Sequence, residues 1–284
     1  MSADAMKGKV VVITGANSGI GKVAATALAG MGARVIMACR RRQAAEAAMQ
    51  DIRREYPQAD LAFVPLDLAS LDAVRACARQ LRDMCPRLDV LVNNAGIANM
   101  TRETTVDGFE KTFATNHLGP FLLTVALVPS LKAARGRVIN VASDAHRIGR
   151  MHWQDLQLHR GYWVLKAYAQ SKLCNILFTR ALAKRVAGDN IKVNCLHPGA
   201  VSTSIWPEKH WWERAFSRVL RLFLISAEEG ARTTIYLASG ETGGKATGKY
   251  FYRCQEKQPA KHALDDKAAE QLWRLSEELT GAHL

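Results

Sequence analysis

The chain has no Cys-x-x-Cys pair and no histidine cluster at zinc-ligand spacing. Its six cysteines stand apart at positions 39, 77, 85, 174, 195 and 254, which reads as reduced thiols of a cytoplasmic protein with neither disulfides nor a metal site. No Pro/Ser-rich linker, low-complexity tract or internal repeat divides the 284 residues, so a single domain over 1–284 is expected. No Gly-x-Ser-x-Gly surrounds Ser143, which removes the usual hydrolase nucleophile. Met1 to Lys9 is short, mixed in charge and runs straight into an apolar segment, so no signal peptide is expected there. The net charge of +13 is spread along the chain without a nucleic-acid-binding motif, and nucleic acid is not an expected partner. The longest stretch free of Asp, Glu, Lys and Arg, Thr112 to Leu131, is long enough to raise the question of a membrane span. Asn116, His117, Pro120 and Pro129 interrupt it, and a long buried helix is the better expectation.

What is present is an ordered alternation. Apolar runs at 9–14, 33–39, 61–66, 88–93, 136–142, 191–196 and 248–252 are separated by amphipathic segments, and Asp265 to Leu279 reads as a last helix. Apolar runs without period-two alternation suit strands buried on both faces, so the expectation is a doubly wound α/β fold with a seven-stranded parallel sheet. An apolar share of 48% is ample for such a core.

Two local constellations carry chemistry. Thr14-Gly15-Ala16-Asn17-Ser18-Gly19-Ile20-Gly21 lies between the first strand and a helix beginning near Lys22. Glycines there let the backbone approach a phosphate, and the helix N-terminus supplies free N–H groups and a favourable dipole. Far downstream, Tyr168 and Lys172 stand four apart, which places both on one helix face. A neighbouring ammonium favours phenolate, the tuning a general acid/base needs.

This pairing, Thr-Gly-x3-Gly-x-Gly with Tyr-x3-Lys, resembles the short-chain dehydrogenase/reductase family and its Rossmann fold. Asn93-Asn94-Ala95-Gly96, Asn116 in Phe113-Ala-Thr-Asn-His-Leu-Gly119, Ser143 after Arg137–Ala142, and His197-Pro198-Gly199 follow in the family's order. The resemblance covers nearly the whole chain. It implies a cofactor half over about 7–145 and a catalytic half over about 146–284. It also implies an oxidoreductase in which Tyr168 exchanges a proton with a carbonyl or alcohol oxygen. In that reading Lys172 lowers the Tyr168 pKa and holds the nicotinamide ribose, and Ser143 stabilises the substrate oxygen. Asn116 would open a helix backbone for a water that links Lys172 to solvent. The implied cofactor contacts are Gly15, Asn17, Ser18, Gly19, Ile20, Gly21, Arg40, Arg41, Asp67, Leu68, Asn94, Ala95, Gly96, Pro198, Gly199, Val201 and Thr203, with Tyr168 and Lys172. Asp67 reads equally as the family's adenine-edge aspartate or as an ordinary helix N-cap.

The end of the second strand, Ala33–Cys39, carries no acid and is followed by Arg40-Arg41-Arg42, with Lys22 as a further basic residue after the glycine turn. Acid at that place suits NAD and base suits the 2′-phosphate of NADP, so NADP(H) is the expected cofactor.

The 24 residues between Ser143 and Tyr168 form a longer insertion than is usual in the family and resemble that of retinol dehydrogenases and related NADP-dependent reductases. That likeness implies a small lipophilic carbonyl or alcohol substrate, such as a retinal-like aldehyde, a ketone or a steroid. A helical pattern of tryptophans and arginines over 210–225 falls within the expected substrate lid, about 200–225. It reads either as a cover for an apolar pocket or as a peripheral membrane contact. A homo-oligomer is a further implication of the resemblance. The alternative function is a catalytically silent dinucleotide-binding sensor or membrane-surface interaction protein. The intact Asn116, Ser143, Tyr168 and Lys172 favour an enzyme.

Overall fold

The computed structural model describes residues 4–199 and 225–284. Seven strands fall where the apolar runs place them: β1 (Val10–Thr14), β2 (Arg34–Cys39), β3 (Leu61–Pro65), β4 (Val90–Asn93), β5 (Arg137–Val141), β6 (Lys192–His197) and β7 (Tyr250–Tyr252). They form one sheet in the order β3-β2-β1-β4-β5-β6-β7, with parallel pairing throughout. An eighth strand, β8 (Gln255–Lys257), continues the sheet by pairing antiparallel to β7. No apolar run marks it in the sequence. Its hairpin turns through Arg253 and Cys254, both at positive φ (49° and 61°), the conformation that normally calls for Asn-Gly. Without that signal, a three-residue exposed edge strand leaves no legible trace.

Helices cover both faces because β1 to β6 are apolar on both sides. On one face α1 (Gly19–Gly30) packs with α2 (Arg42–Glu55) and α6 (Ala227–Ser239) over Val11, Ile13, Val35 and Met37. On the other lie α3 (Leu71–Met84), α4 (Lys111–Ala134), α5 (Val164–Arg185) and α8 (Asp266–Thr280), around Phe121, Leu127, Leu177 and Trp273. The short α7 (Glu241–Lys245) precedes β7. Among the described residues α4 is the one helix long and apolar enough to cross a membrane, and 72% of its most apolar window is buried inside the molecule. The buried core helix expected for Thr112–Leu131 is therefore what forms.

The sheet order reverses between β1 and β4, whose successors run to opposite edges. A crevice opens at the carboxyl ends of strands at such a switch point. Every residue discussed next lies at or behind it.

Candidate active site

The glycine turn leaves β1 and enters α1 with Gly15 at φ +65°, and Ser18 is the helix N-cap without a side-chain cap bond. No acidic residue occupies the first turn of α1, so its free N–H groups and positive dipole end are not answered from within the helix. A Cβ on Gly21 would come within 2.5 Å of both Asn94 Nδ2 and the Gly15 carbonyl, so glycine is what allows α1 to close on the turn. Thr14 ties the two halves of the crevice together. Its Oγ1 accepts from the Asn94 and Ala95 amides, both at 3.0 Å, and its carbonyl accepts from Asn94 Nδ2 at 2.9 Å.

One groove runs along these groups. Its walls include Gly15, Asn17, Ser18, Gly19, Ile20, Gly21, Arg40, Arg41, Asp67, Leu68, Asn94, Ala95, Gly96 and Pro198, and it reaches Tyr168 and Lys172. Ile97, Lys111, Thr115, Val141 and Ala142, which the sequence analysis does not single out, also line it. Gly199 is not on the wall. Its φ of +99° and the 2.3 Å that would separate a Cβ from Ile225 give it a conformational role instead. Val201, Thr203 and nearly all of the expected 200–225 lid lie outside the described residues.

The basic residues divide. Arg40 and Arg41 are exposed on the groove wall, with no acidic partner among the described residues. Arg42 lies over the Phe63 ring and bonds Glu46, so it serves the start of α2. Lys22 is paired with Asp51 of α2 at 2.5 Å and does not line the groove, which corrects its expected place near the cofactor. Asp67 is not a helix N-cap. Ser70 caps α3, while Asp67 accepts from the Ala69 amide and remains on the groove wall.

At the far end, α5 brings Tyr168 and Lys172 onto one face, with Lys172 Nζ 5.5 Å from the centre of the Tyr168 ring. The Tyr168 hydroxyl is hydrogen-bonded to the Ser143 side chain. Burial raises the phenol above its ordinary value, and the Ser143 bond opposes that rise. Burial, not a push from Lys172, is thus the largest influence on the phenol. Lys172 itself is buried, donates to the Val141 carbonyl at 2.9 Å, and is pushed down to about 8.

Asn116 sits in a π-helical turn, Ala114–Leu118, the widened backbone that the resemblance implies. Its Oδ1 accepts from the Ile97 amide at 2.8 Å, and its Nδ2 donates to the Ile97 carbonyl and to Ser171 Oγ, both at 2.9 Å. A Cβ on Gly96 would lie 3.3 Å from both Asn116 Oδ1 and Lys172 Nζ, so the missing side chain keeps these two groups close. Ile97 and Ser171 escape sequence reasoning because their role is to meet Asn116 across 19 and 55 residues of chain.

Lys172 makes a stability prediction. A shift from 10.5 to about 8 means the charged ammonium is disfavoured in the folded state, by on the order of 3 kcal/mol below pH 8. That cost disappears as pH rises through 8 toward 10.5. Lys172→Met at pH 7 should therefore raise the unfolding midpoint by roughly 2–6 °C. The Val141 carbonyl keeps a donor in that variant, Asn175 Nδ2 at 3.3 Å. Thermal melts at pH 7 and pH 10 check this: the gain should shrink at the higher pH, and a lower midpoint at pH 7 contradicts it.

A half-buried phenol, a serine hydroxyl beside it and a buried lysine on the next turn can together deliver a proton to an oxygen seated between them. The family described as short chain dehydrogenase matches residues 9–214. Human retinol dehydrogenase 14 is 43% identical over 97% of this chain and 87% of its own length. A crystal structure of an uncharacterised protein from Mycobacterium paratuberculosis superposes with a TM-score of 0.80 at 37% identity, covering 98% of this chain and 95% of that one. The Pseudomonas aeruginosa RhlG/NADP active-site complex superposes with a TM-score of 0.69 at 27% identity, covering 88% and 97%. With its glycine turn, strand order and Tyr-x3-Lys helix in one crevice, the chain belongs to the short-chain dehydrogenase/reductase family of oxidoreductases and is related to the retinol dehydrogenases.

Proposed function

We propose that this oxidoreductase uses NADP(H) to interconvert a lipophilic carbonyl and its alcohol, with Tyr168 as general acid/base. The observation that carries the reading is the groove itself, which has Arg40 and Arg41 at one end and Tyr168 beside Lys172 at the other. The residues fit a dinucleotide. The Gly15–Gly21 cradle has no room for a Cβ at Gly21, and the α1 N-terminus faces the groove without an acid in its first turn. Arg40 and Arg41 suit a 2′-phosphate, and the side chain that ends β2 is Cys39, whose thiol burial keeps neutral. RhlG, solved with NADP, is a neighbour of the same fold. Bound NADPH supplies hydride at the substrate carbon.

The remaining chemistry belongs to the chain. Tyr168 donates its proton to the carbonyl oxygen, and a phenol raised by burial is protonated and ready to do so at neutral pH. Ser143 donates a hydrogen bond to the same oxygen as negative charge develops there. Lys172 orients the nicotinamide ribose and, with Asn116 behind it, passes a replacement proton toward Tyr168. In the reverse direction Tyr168 accepts the alcohol proton. The name of the 43%-identical relative supports a retinoid-like substrate. A homo-oligomer in the cytoplasm, with peripheral membrane contact through 210–225, completes the proposal.

The deciding test follows NADPH oxidation at 340 nm over a panel of apolar aldehydes and ketones that includes retinal, with NADH in parallel. Turnover with NADPH well above that with NADH is the expected result. Tight NADPH binding with no turnover on any compound overturns the enzymatic reading in favour of a sensor.

A further inference from the structure

Behind Ser143 stands a residue that the scheme above leaves idle. His146 is completely buried, and both of its ring nitrogens are engaged. Nδ1 lies 2.7 Å from the Ser143 carbonyl oxygen, and Nε2 accepts the Ala260 N–H at 3.0 Å. A carbonyl oxygen can only accept and a backbone N–H can only donate. The two bonds together require the neutral imidazole with its proton on Nδ1. An imidazolium would have to give up the Ala260 bond inside a buried site, and burial holds the ring below its ordinary range.

The grip is two-sided. The His146 carbonyl accepts from His262 Nε2 at 2.9 Å, so the segment leading into α8 holds His146 by both ring and backbone. Tyr250 packs edge-on against the ring at 5.2 Å. Next along the turn, the Asp144 amide donates to His197 Nδ1 at 3.2 Å. Ser143 is the hinge of this arrangement. It ends the run from β5 with extended backbone, caps the 3-10 turn Asp144–Arg147 by accepting from the Ala145 amide at 3.2 Å, and bonds Tyr168. Its carbonyl accepts twice from His146, from the backbone N–H at 3.1 Å that closes the turn and from the ring at 2.7 Å.

We propose that His146 is a positioning residue for the reaction: its Nδ1–H holds the Ser143 carbonyl and thereby aims the Ser143 hydroxyl at Tyr168 and the substrate oxygen. The proposal rests on the oxidoreductase reading above. It assigns the C-terminal segment a part in the active site at a distance of more than a hundred residues along the chain, since the bond from Ala260 selects the tautomer that faces Ser143.

Two substitutions separate the arms of the ring. His146→Asn places an amide N–H near the position of Nδ1 and keeps the donor to Ser143. His146→Gln places an acceptor near the position of Nε2, keeps Ala260 satisfied and loses the Ser143 donor. Each is assayed with NADPH and the carbonyl that wild type reduces best, beside NADPH affinity by fluorescence and the unfolding midpoint. His146→Gln should lose about 10- to 100-fold in kcat, the cost of a misplaced catalytic group, with NADPH affinity unchanged. His146→Asn should stay within about threefold of wild type in kcat at a comparable loss of midpoint. Equal kcat in the two variants, whether retained or lost, overturns the proposal and leaves His146 a packing residue.

Ala260→Pro decides the matter if neither histidine variant folds. Ala260 has φ −60°, which proline adopts, and the change removes the N–H and sets the ring Cδ against His146 Nε2, displacing the imidazole from Ser143. A fall in kcat of about threefold to tenfold with unchanged NADPH affinity supports the proposal, and wild-type kcat overturns it. Wild-type protein that binds NADPH but reduces no carbonyl overturns the oxidoreductase reading, and this inference with it. That outcome is distinct from an active wild type with indifferent variants.

Discussion

Tyr168→Phe is expected to lower kcat by about 10²- to 10⁴-fold, the usual worth of a positioned general acid. NADPH affinity should stay within about threefold, because the substitution removes one hydroxyl from the groove end and keeps the ring. Structural collateral is small. The ring remains in contact with Lys172, and the Ser143 hydroxyl retains its bond from the Ala145 amide. Turnover measured at 340 nm beside NADPH fluorescence titration separates the two quantities. A variant that kept most of the wild-type rate would remove Tyr168 from the proton transfer. The same residue shapes the pH dependence. Burial raises its pKa above the ordinary tyrosine value, so reduction, which needs the phenol, should hold constant from pH 6 to about 7, below the value of about 8 at which Lys172 loses its proton. Oxidation needs the phenolate, and below that raised pKa its rate should climb with pH, up to tenfold per unit. Initial rates in both directions across pH 6 to 10 check the sign.

Arg40→Ala should weaken NADPH by about 10- to 100-fold, the range for hydrogen bonds to a charged group, and change NADH by less than about threefold. Of the four basic residues near the turn, Lys22 is neutralised by Asp51 and Arg42 is occupied with Glu46 and Phe63. Arg40 and Arg41 remain on the groove wall. Both are exposed, so the NADPH effect should shrink as salt is raised. Lys22→Ala is the matched control and should leave the preference between the two nucleotides where it is. Equal losses for NADPH and NADH in Arg40→Ala would take Arg40 off the 2′-phosphate.

Much of the architecture is legible in the chain because it depends on near neighbours. Seven apolar runs became the seven parallel strands, since a strand buried on both faces needs nothing beyond its own composition to declare itself. The glycine turn and the Tyr168–Lys172 pair are legible for the same reason: one needs a sharp bend, the other a single helical turn. The eighth strand is not, because its turn places Arg253 and Cys254 at positive φ against their local preference. Tertiary pairing holds the hairpin there.

The site separates along the same line. Sequence alone determined the kind of chemistry, by setting a phosphate-binding turn, a phenol and an ammonium in an order that one family shares. Only the tertiary structure decided which charges are free to act. Lys22 and Arg41 look alike in the sequence, yet one faces Asp51 and the other the groove. Tertiary structure also decided what holds the reacting groups still: Asn116 clasping Ile97 and Ser171, and His146 caught between Ser143 and Ala260. Such contacts join residues far apart in the chain. Their partners carry no periodic or local signal, and burial alone makes an unpaired polar group costly enough to require each of them.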